Sequence, residues 1–277
     1  MTFSRLIRFV DETGSVRYGD LAEELAAHQI VGVEVDVLEG SPFEALSRKG
    51  EKATVKKLLS PLESVPIFEC IGLNYRQHAN EAKLSIAEHP VVFTKPGDAL
   101  NGPLDDVLIH KDIQTQLDYE GELCVIIGKE GKNIKEGDAL DYVLGYAIGN
   151  DVSARNFQLP PFSGGQFGYA KSFDGFAPIG PAIASKTVVP DPHQLEYVTT
   201  VDGEIRQKTP TSDMIWTVQQ IITHLSRNTT LRKGTVIMTG TPSGVGLFIP
   251  NGFLKDGSVV EVKCTKIGSI RNKMVFE

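Results

Sequence analysis

The chain has 277 residues, 41% apolar and 23% charged, with 28 basic against 35 acidic side chains and a formal net charge of −7. This is a globular composition rather than a disordered one, and the length suits one large domain or two modest ones. An acidic balance argues against a nucleic-acid partner, which needs a Lys/Arg surplus, and no apolar run reaches the roughly 18–20 residues of a membrane span.

At the N-terminus, Arg5 and Arg8 interrupt what a secretory signal would need as an unbroken apolar segment. Arg5–Val10 and 16–19 read as strands flanking a turn at Asp11-Glu12-Thr13-Gly14. Asp20 is expected to cap a short helix over 21–27, followed by a strand over 30–35. A stretch carrying Lys56, Lys57, Pro61 and Pro66 reads as a linker, so residues 1–65 form a small N-terminal α/β domain and 66–277 a second, catalytic one.

Beyond the linker, short β-branched segments alternate with Gly and Pro. Strands are expected over 67–73, 91–94, 107–110, 122–127, 143–148, 177–183, 197–201, 204–208, 236–239, 258–264 and 269–275. Asp202-Gly203 is a tight-turn signal between two of them. One helix is expected over 214–226, with Ile215, Val218, Ile221, Ile222 and Leu225 on a helical period. Strands dominate without regular βαβ alternation, so the fold class is α+β, mostly β, and not a doubly wound nucleotide fold. Cys70, Cys124 and Cys264 are widely spaced with no CxxC pair, as expected of reduced thiols in a cytoplasmic protein, a mitochondrial location staying open.

Four segments carry chemistry. Asn74 is a fair N-cap with Gln77 three residues on, and the helix it would start places His78 and Glu81 on one face at i, i+3. A carboxylate beside an imidazole orients it as a base, although the same pair also suits an ordinary surface helix. Glu120 and Glu122 share one face of an extended segment, and Asp151 ends another apolar strand. Three converging carboxylates would suit a hard divalent ion, while the spacing alone also fits strand-end acids in water. Lys171 follows the Gly-rich segment 163–168 and would suit a substrate carboxylate or a developing enolate. The run Thr239-Gly240-Thr241-Pro242-Ser243-Gly244-Val245-Gly246 lacks both nucleotide-binding glycine patterns, so it is not read as a phosphate loop.

Together these segments resemble the fumarylacetoacetate hydrolase family over roughly residues 67–277. The resemblance is carried by Ile71-Gly72-Leu73-Asn74-Tyr75 with His78 and Glu81, by Phe93-Thr94-Lys95-Pro96, and by Asp118-Tyr119-Glu120-Gly121-Glu122-Leu123. Asn150-Asp151-Val152-Ser153-Ala154-Arg155 with Gln158, Lys171-Ser172-Phe173-Asp174 and the 239–246 run complete it.

The resemblance implies a rolled mixed β-sheet catalytic domain, a homodimer, and a Mg²⁺ or Mn²⁺ ion (Ca²⁺ being a further option) held by Glu120, Glu122 and Asp151. It implies a water-activating His78–Glu81 dyad, Lys171 in catalysis, and Tyr75, Arg155, Gln158 and Thr241 along the substrate pocket. The expected reaction is hydrolysis of a C–C bond in a 1,3-dicarbonyl or 2-oxo acid through a metal-stabilised enolate. Decarboxylation of an oxaloacetate-like acid and isomerisation or hydration of an unsaturated 2-oxo acid are the alternatives, and a non-catalytic binding protein on the same scaffold is a third. Asn156 departs from the Asp that many members carry there. Specificity is expected from 157–169, where Pro160, Pro161 and Phe162 suggest an apolar wall.

Overall fold

The protein is described from a computed structural model covering residues 2–277. Its strands are β1 (Arg5–Val10), β2 (Val16–Leu21), β3 (Glu34–Gly40), β4 (Leu46–Thr54), β5 (Lys57–Leu59), β6 (Phe68–Gly72), β7 (Val91–Lys95), β8 (Leu100–Asn101), β9 (Val107–Ile109), β10 (Leu117–Asp118), β11 (Gly121–Ile127), β12 (Val143–Asn150), β13 (Ser153–Ala154), β14 (Ala177–Ser185), β15 (Glu196–Val201), β16 (Glu204–Pro210), β17 (Val236–Met238), β18 (Val259–Cys264) and β19 (Gly268–Phe276). The helices are short: α1 (Ala27–Ile30), α2 (Arg76–Ala82), α3 (Arg155–Gln158), α4 (Gly168–Lys171) and α5 (Val218–Leu225). None is long and apolar enough to cross a membrane.

A mixed sheet runs β4-β3-β2-β1-β14-β12-β11-β17-β6-β7, with β5 on β1 and β8 on β14. A second sheet runs β16-β15-β18-β19-β9. Strand β11 is buried at every residue, as its unbroken Leu-Cys-Val-Ile-Ile run requires of a strand covered on both faces. Its alternation divides the core. Leu123, Val125 and Ile127 pack with Tyr197, Val260, Val262 and Ile270 of the second sheet and with α5. Cys124 and Ile126 point the other way, among Phe68, Ile179 and Met238. The expected fold class is the observed one.

The division expected near residue 65 falls between β5 and β6. Across it, β1 pairs antiparallel with β14 through Arg5↔Ala184 and Leu6↔Ile183, so backbone hydrogen bonds join both parts in one sheet. Ile7, Phe9, Val35 and Val37 of the first part share a cluster with Ala182.

Local corrections have identifiable causes. Asp20 caps no helix: its carboxylate accepts the backbone N–H groups of Ser4 and Arg5, and the nearby helix is only α1. The strand expected over 30–35 is displaced to β3, and the expected linker contains β5, paired with β1. The long helix shrinks to α5, because Thr217 and Gln220 form a capping box that starts it at Val218. Ahead of that cap, Ile215 and Trp216 form a bend and donate N–H groups to the Asn74 carbonyl and side-chain oxygens. Asn74 is therefore a tie between distant segments; Tyr75 occupies the N-cap of α2 without a side-chain hydrogen bond. The Asp202-Gly203 turn forms as expected, with φ of +51° and +86°.

Candidate active site

Antiparallel pairing of β11 with β12 sets Gly121 opposite Asn150 and Glu122 opposite Gly149. Just beyond the paired ends, Asp151 donates its N–H to the Glu120 carbonyl at 2.8 Å, and the Asn150 side chain accepts the Glu120 N–H at 3.0 Å. This register brings one oxygen each from Glu120, Glu122 and Asp151 within 4.8 Å of one another, all three residues being buried.

Three buried cations surround the acids. Lys171 Nζ lies 2.9 Å from Glu120 Oε2, 2.6 Å from Asp151 Oδ2 and 2.6 Å from Ser153 Oγ. Its burial would lower its pKa, but Asp151 and Glu120 outweigh that and hold it raised. Lys95 Nζ, at the end of β7, sits 2.5 Å from Asp151 Oδ1 and donates to the Phe176 carbonyl. Arg155 places Nε 2.8 Å from Asp118 Oδ2, one terminal nitrogen 2.6 Å from Glu120 Oε1 and the other 2.6 Å from Gln158 Oε1. Burial pushes the Glu120 pKa up, yet the charges of Lys171 and Arg155 win and hold it below the usual carboxylate range.

Glu122 is the exception. Burial, then the charges of Asp151 and Glu120, push its pKa well up, and its resolved protein donor is the Gly240 N–H at 2.7 Å. Four carboxylates (Asp118, Glu120, Glu122, Asp151) face three cations, a deficit of one positive charge. The all-oxygen donor set and this uncompensated Glu122 fit a hard divalent ion, which would relieve the repulsion and leave the floor attractive to an anionic substrate.

Beside the acids, α2 presents His78, whose Nδ1 is 3.0 Å from Glu81 Oε2. The 239–246 run has a role its sequence did not disclose. Its backbone amides are carboxylate anchors: Gly240 N–H reaches Glu122, Gly244 N–H reaches Glu81, and Gly246 N–H reaches Asp118, joined there by the N–H of Leu247 just beyond the run. Gly240 and Gly244 have φ of +99° and +96°, open to glycine at little strain.

A cavity of about 490 Å³ is lined by His78, Glu120, Arg155, Gln158, Lys171 and Thr241 among others, while Glu81, Asp118, Glu122 and Asp151 stay off its wall. Thr241 Oγ1 donates to the Gly121 carbonyl and accepts from Gln207 Nε2. Tyr75 is not brought there: it is fully buried in the core, edge-on to Tyr197 with ring centroids 6.1 Å apart. Asn156 also stays off the cavity wall, its Nδ2 donating to the Asp112 carbonyl. A wider open depression around Asp98, Asp106, His110 and Glu277 contains none of the expected site residues.

Sequence reasoning assigned no role to Lys95, Asp118, Gln207 or the glycines of the 239–246 run. The one available signal was that Lys95, Asp118 and that run all lie within the motifs carrying the family resemblance.

Residues 68–275 match the family model described as fumarylacetoacetate (FAA) hydrolase C-terminal. Among curated proteins, the oxaloacetate tautomerase YisK of Bacillus subtilis is 44% identical over 208 residues, 74% of this chain and 68% of that protein. The crystal structure of 2-hydroxyhepta-2,4-diene-1,7-dioate isomerase from Mycobacterium marinum aligns at a TM-score of 0.84 with 33% identity, covering 99% of each chain. Fumarylpyruvate hydrolase from Pseudomonas aeruginosa, in complex with Mn²⁺ and pyruvate, aligns at 0.70 with 32% identity over 77% of this chain and 91% of its own. With three quarters of its length matched and relatives above 30% identity on every side, the chain belongs to the fumarylacetoacetate hydrolase family.

Proposed function

We propose that this protein is a divalent-metal-dependent enzyme of 2-oxo acids that moves a proton at C3, interconverting the keto and enol forms of an oxaloacetate-like substrate. The observation carrying this reading is that one cavity is lined by both His78, which Glu81 holds at Nδ1, and Glu120, whose carboxylate lies within 4.8 Å of those of the buried Glu122 and Asp151. The name of the B. subtilis relative supports the choice of reaction. Glu120, Glu122 and Asp151 would hold Mg²⁺ or Mn²⁺, and the Mn²⁺ in the P. aeruginosa relative supports that class of ion. Such an ion, when bound, supplies Lewis acidity that polarises the 2-oxo group and acidifies the C3 proton.

The chain's own groups do the rest. With Nδ1 held by Glu81, His78 offers Nε2 as the nitrogen that takes and returns the C3 proton. Lys171 keeps a positive charge beside the oxygen on which negative charge develops. Arg155 fixes Glu120 and Gln158 in place.

The dyad itself favours a second reading, hydrolysis of the C3–C4 bond of a 2,4-dioxo acid. His78 would then deprotonate a water that adds to C4; the C3–C4 bond breaks and C3 takes a proton, giving a 2-oxo acid and a carboxylic acid. Simple decarboxylation needs no activated water and would tolerate loss of His78.

The test follows enol decay and NMR-identified products for oxaloacetate and 2,4-dioxo acids, with Mg²⁺, Mn²⁺ or chelator, in wild type and His78→Ala. Metal-dependent enol decay lost in His78→Ala supports the proposal. Full activity in chelator would sink it, and cleavage products without enol interconversion would hand the assignment to the hydrolase.

A further inference from the structure

Gln207 is buried on β16, the edge strand of the second sheet, where strand alternation turns it and Thr209 inward. A buried side-chain amide costs stability unless its oxygen and nitrogen both find partners. Both do, and every partner belongs to the acid site. Its Oε1 accepts the Gly121 N–H at 3.0 Å, and its Nε2 donates to Thr241 Oγ1 at 2.8 Å and to the Pro242 carbonyl at 3.0 Å. Thr241 Oγ1 in turn donates to the Gly121 carbonyl at 3.0 Å. The N–H and the carbonyl of Gly121, the residue between Glu120 and Glu122, are thus held from one side chain.

The place of these bonds in the ladder gives their purpose. Strand β17 ends with Met238 opposite Cys124, and the Leu123 carbonyl takes the Thr239 N–H at 3.1 Å. Gly240, at φ +99°, then turns the chain aside and brings its N–H to Glu122. Two residues back along β11, the side chains of Gln207 and Thr241 do for Gly121 what a neighbouring strand would otherwise do. A Cβ at Gly121 would fall 2.1 Å from Thr199 Oγ1 and 3.3 Å from Gln207 Oε1, so glycine is what lets the second sheet come this close. Thr199 pairs with Gln207 but Thr200 with Ile205, which makes Arg206 the extra residue of a bulge. Bulges re-aim the side chains beside them, and the one beside Arg206 is Gln207.

We propose that Gln207 is a positioning residue: by fixing the Gly121 peptide it sets the spacing of the Glu120 and Glu122 carboxylates, and with it the size of ion the three acids accept. This rests on the reading above that Glu120, Glu122 and Asp151 hold a divalent ion. Mg²⁺ demands a near-ideal octahedron of oxygens at about 2.0–2.1 Å, whereas Ca²⁺ tolerates irregular sets at about 2.3–2.6 Å. Loosening the Gly121 peptide therefore penalises Mg²⁺ more than Ca²⁺.

Mg²⁺ and Ca²⁺ binding is measured by calorimetry on the metal-free chain for wild type, Gln207→Met, Thr241→Val and Thr209→Val, with circular dichroism to check folding. Gln207→Met keeps the length of the side chain and removes its amide. Its Mg²⁺ affinity should fall about 10–100-fold, the range for outer groups that orient metal ligands. The loss for Ca²⁺ should be at least about fivefold smaller. Thr209→Val alters the next inward position of β16, whose hydroxyl donates to the Pro210 carbonyl at 3.1 Å, and should leave both affinities unchanged.

Equal losses for the two ions, no loss in Gln207→Met, or the same loss in Thr209→Val would overturn the positioning role. Should Gln207→Met fail to fold, Thr241→Val decides alone. It removes the hydroxyl through which Gln207 holds the Gly121 carbonyl, and the same bias against Mg²⁺ is expected. Wild type separates the two levels of inference. If it binds Mg²⁺ and the variants match it, the role of Gln207 alone fails; if it binds neither ion, the metal reading fails and takes that role with it.

Discussion

Gly244 donates its backbone N–H to the Glu81 carboxylate, 3.0 Å from Oε1 and 3.2 Å from Oε2, while Glu81 Oε2 lies 3.0 Å from His78 Nδ1. The dyad thus depends on a glycine 163 residues further along the chain. A Cβ at Gly244 would fall 2.0 Å from the Arg206 carbonyl oxygen, and its φ of +96° is strained for any other residue. Gly244→Ala must therefore move the loop and loosen Glu81. We expect kcat to fall about 10²-fold, the penalty of displacing a catalytic group by roughly 1 Å. The check is a kcat and KM comparison with far-UV circular dichroism alongside; wild-type kcat in a folded variant would contradict the anchoring role.

Glu122 distinguishes a metal ligand from a structural acid. Without an ion, its carboxylate is buried beside Asp151 and Glu120 and its pKa is pushed up by burial and by their charge. Glu122→Gln should leave apo stability unchanged or raise it by about 1 kcal/mol, because a like-charge contact is relieved. The stabilisation by metal should disappear: wild type should gain about 2.7 kcal/mol at a hundredfold excess of Mg²⁺ over Kd, and the variant none. Denaturation midpoints with Mg²⁺ and with chelator give both numbers. A variant that keeps the Mg²⁺ gain removes Glu122 from the ligand set.

What the sequence disclosed depended on whether the information was local. The pattern of β1 and the glycine turn after Asp202 are set by near neighbours, and both are readable from periodicity and turn chemistry. Glu120, Glu122 and Asp151 are legible as a set only through the family motifs they sit in, because their spacing alone also fits ordinary strand-end acids in water. The start of α5 differs from expectation because Met214 and Ile215 match its period, while the Asn74 contact that holds the bend ahead of it comes from 142 residues away. Strand β4 is mostly exposed and charged, so it shows no alternation at all. Lys95 looks like any strand-end lysine until the fold encloses it against Asp151.

That enclosure makes Lys95 a stability determinant. Its ammonium is fully buried between Asp151 and the Phe176 carbonyl. Lys95→Met keeps the length of the side chain but leaves the Asp151 carboxylate short of one partner. Urea denaturation of the metal-free protein should show a loss of about 3–5 kcal/mol, the scale for breaking a buried ion pair from one side. Lys95→Met combined with Asp151→Asn should recover part of that loss, since the stranded charge is then removed as well. No recovery in the double variant would mean that packing, rather than the charge, sets the cost.

Asp11, at the first turn of the chain, governs an acid-sensitive element far from the active site. Its carboxylate accepts from the Thr13 hydroxyl at 2.6 Å and from the Thr13 and Ser15 N–H groups at 2.8 and 2.9 Å, with Arg17 Nε at 3.1 Å. The Thr13 hydroxyl bond leads the causes that lower its pKa from 3.8 to about 2. A folded-state pKa below the unfolded one means the ionised turn is stabilising above the unfolded value. That contribution is lost as pH falls towards the folded value, so it should fade between about pH 4 and pH 2. Other carboxylates titrate in the same range, so the informative quantity is the difference between wild type and Asp11→Asn. The variant should be less stable at pH 7, and the gap in thermal midpoint should close steadily as pH is lowered from 4 to 2. A gap that stays constant across that range would show that the turn is held by its geometry and not by the charge on Asp11.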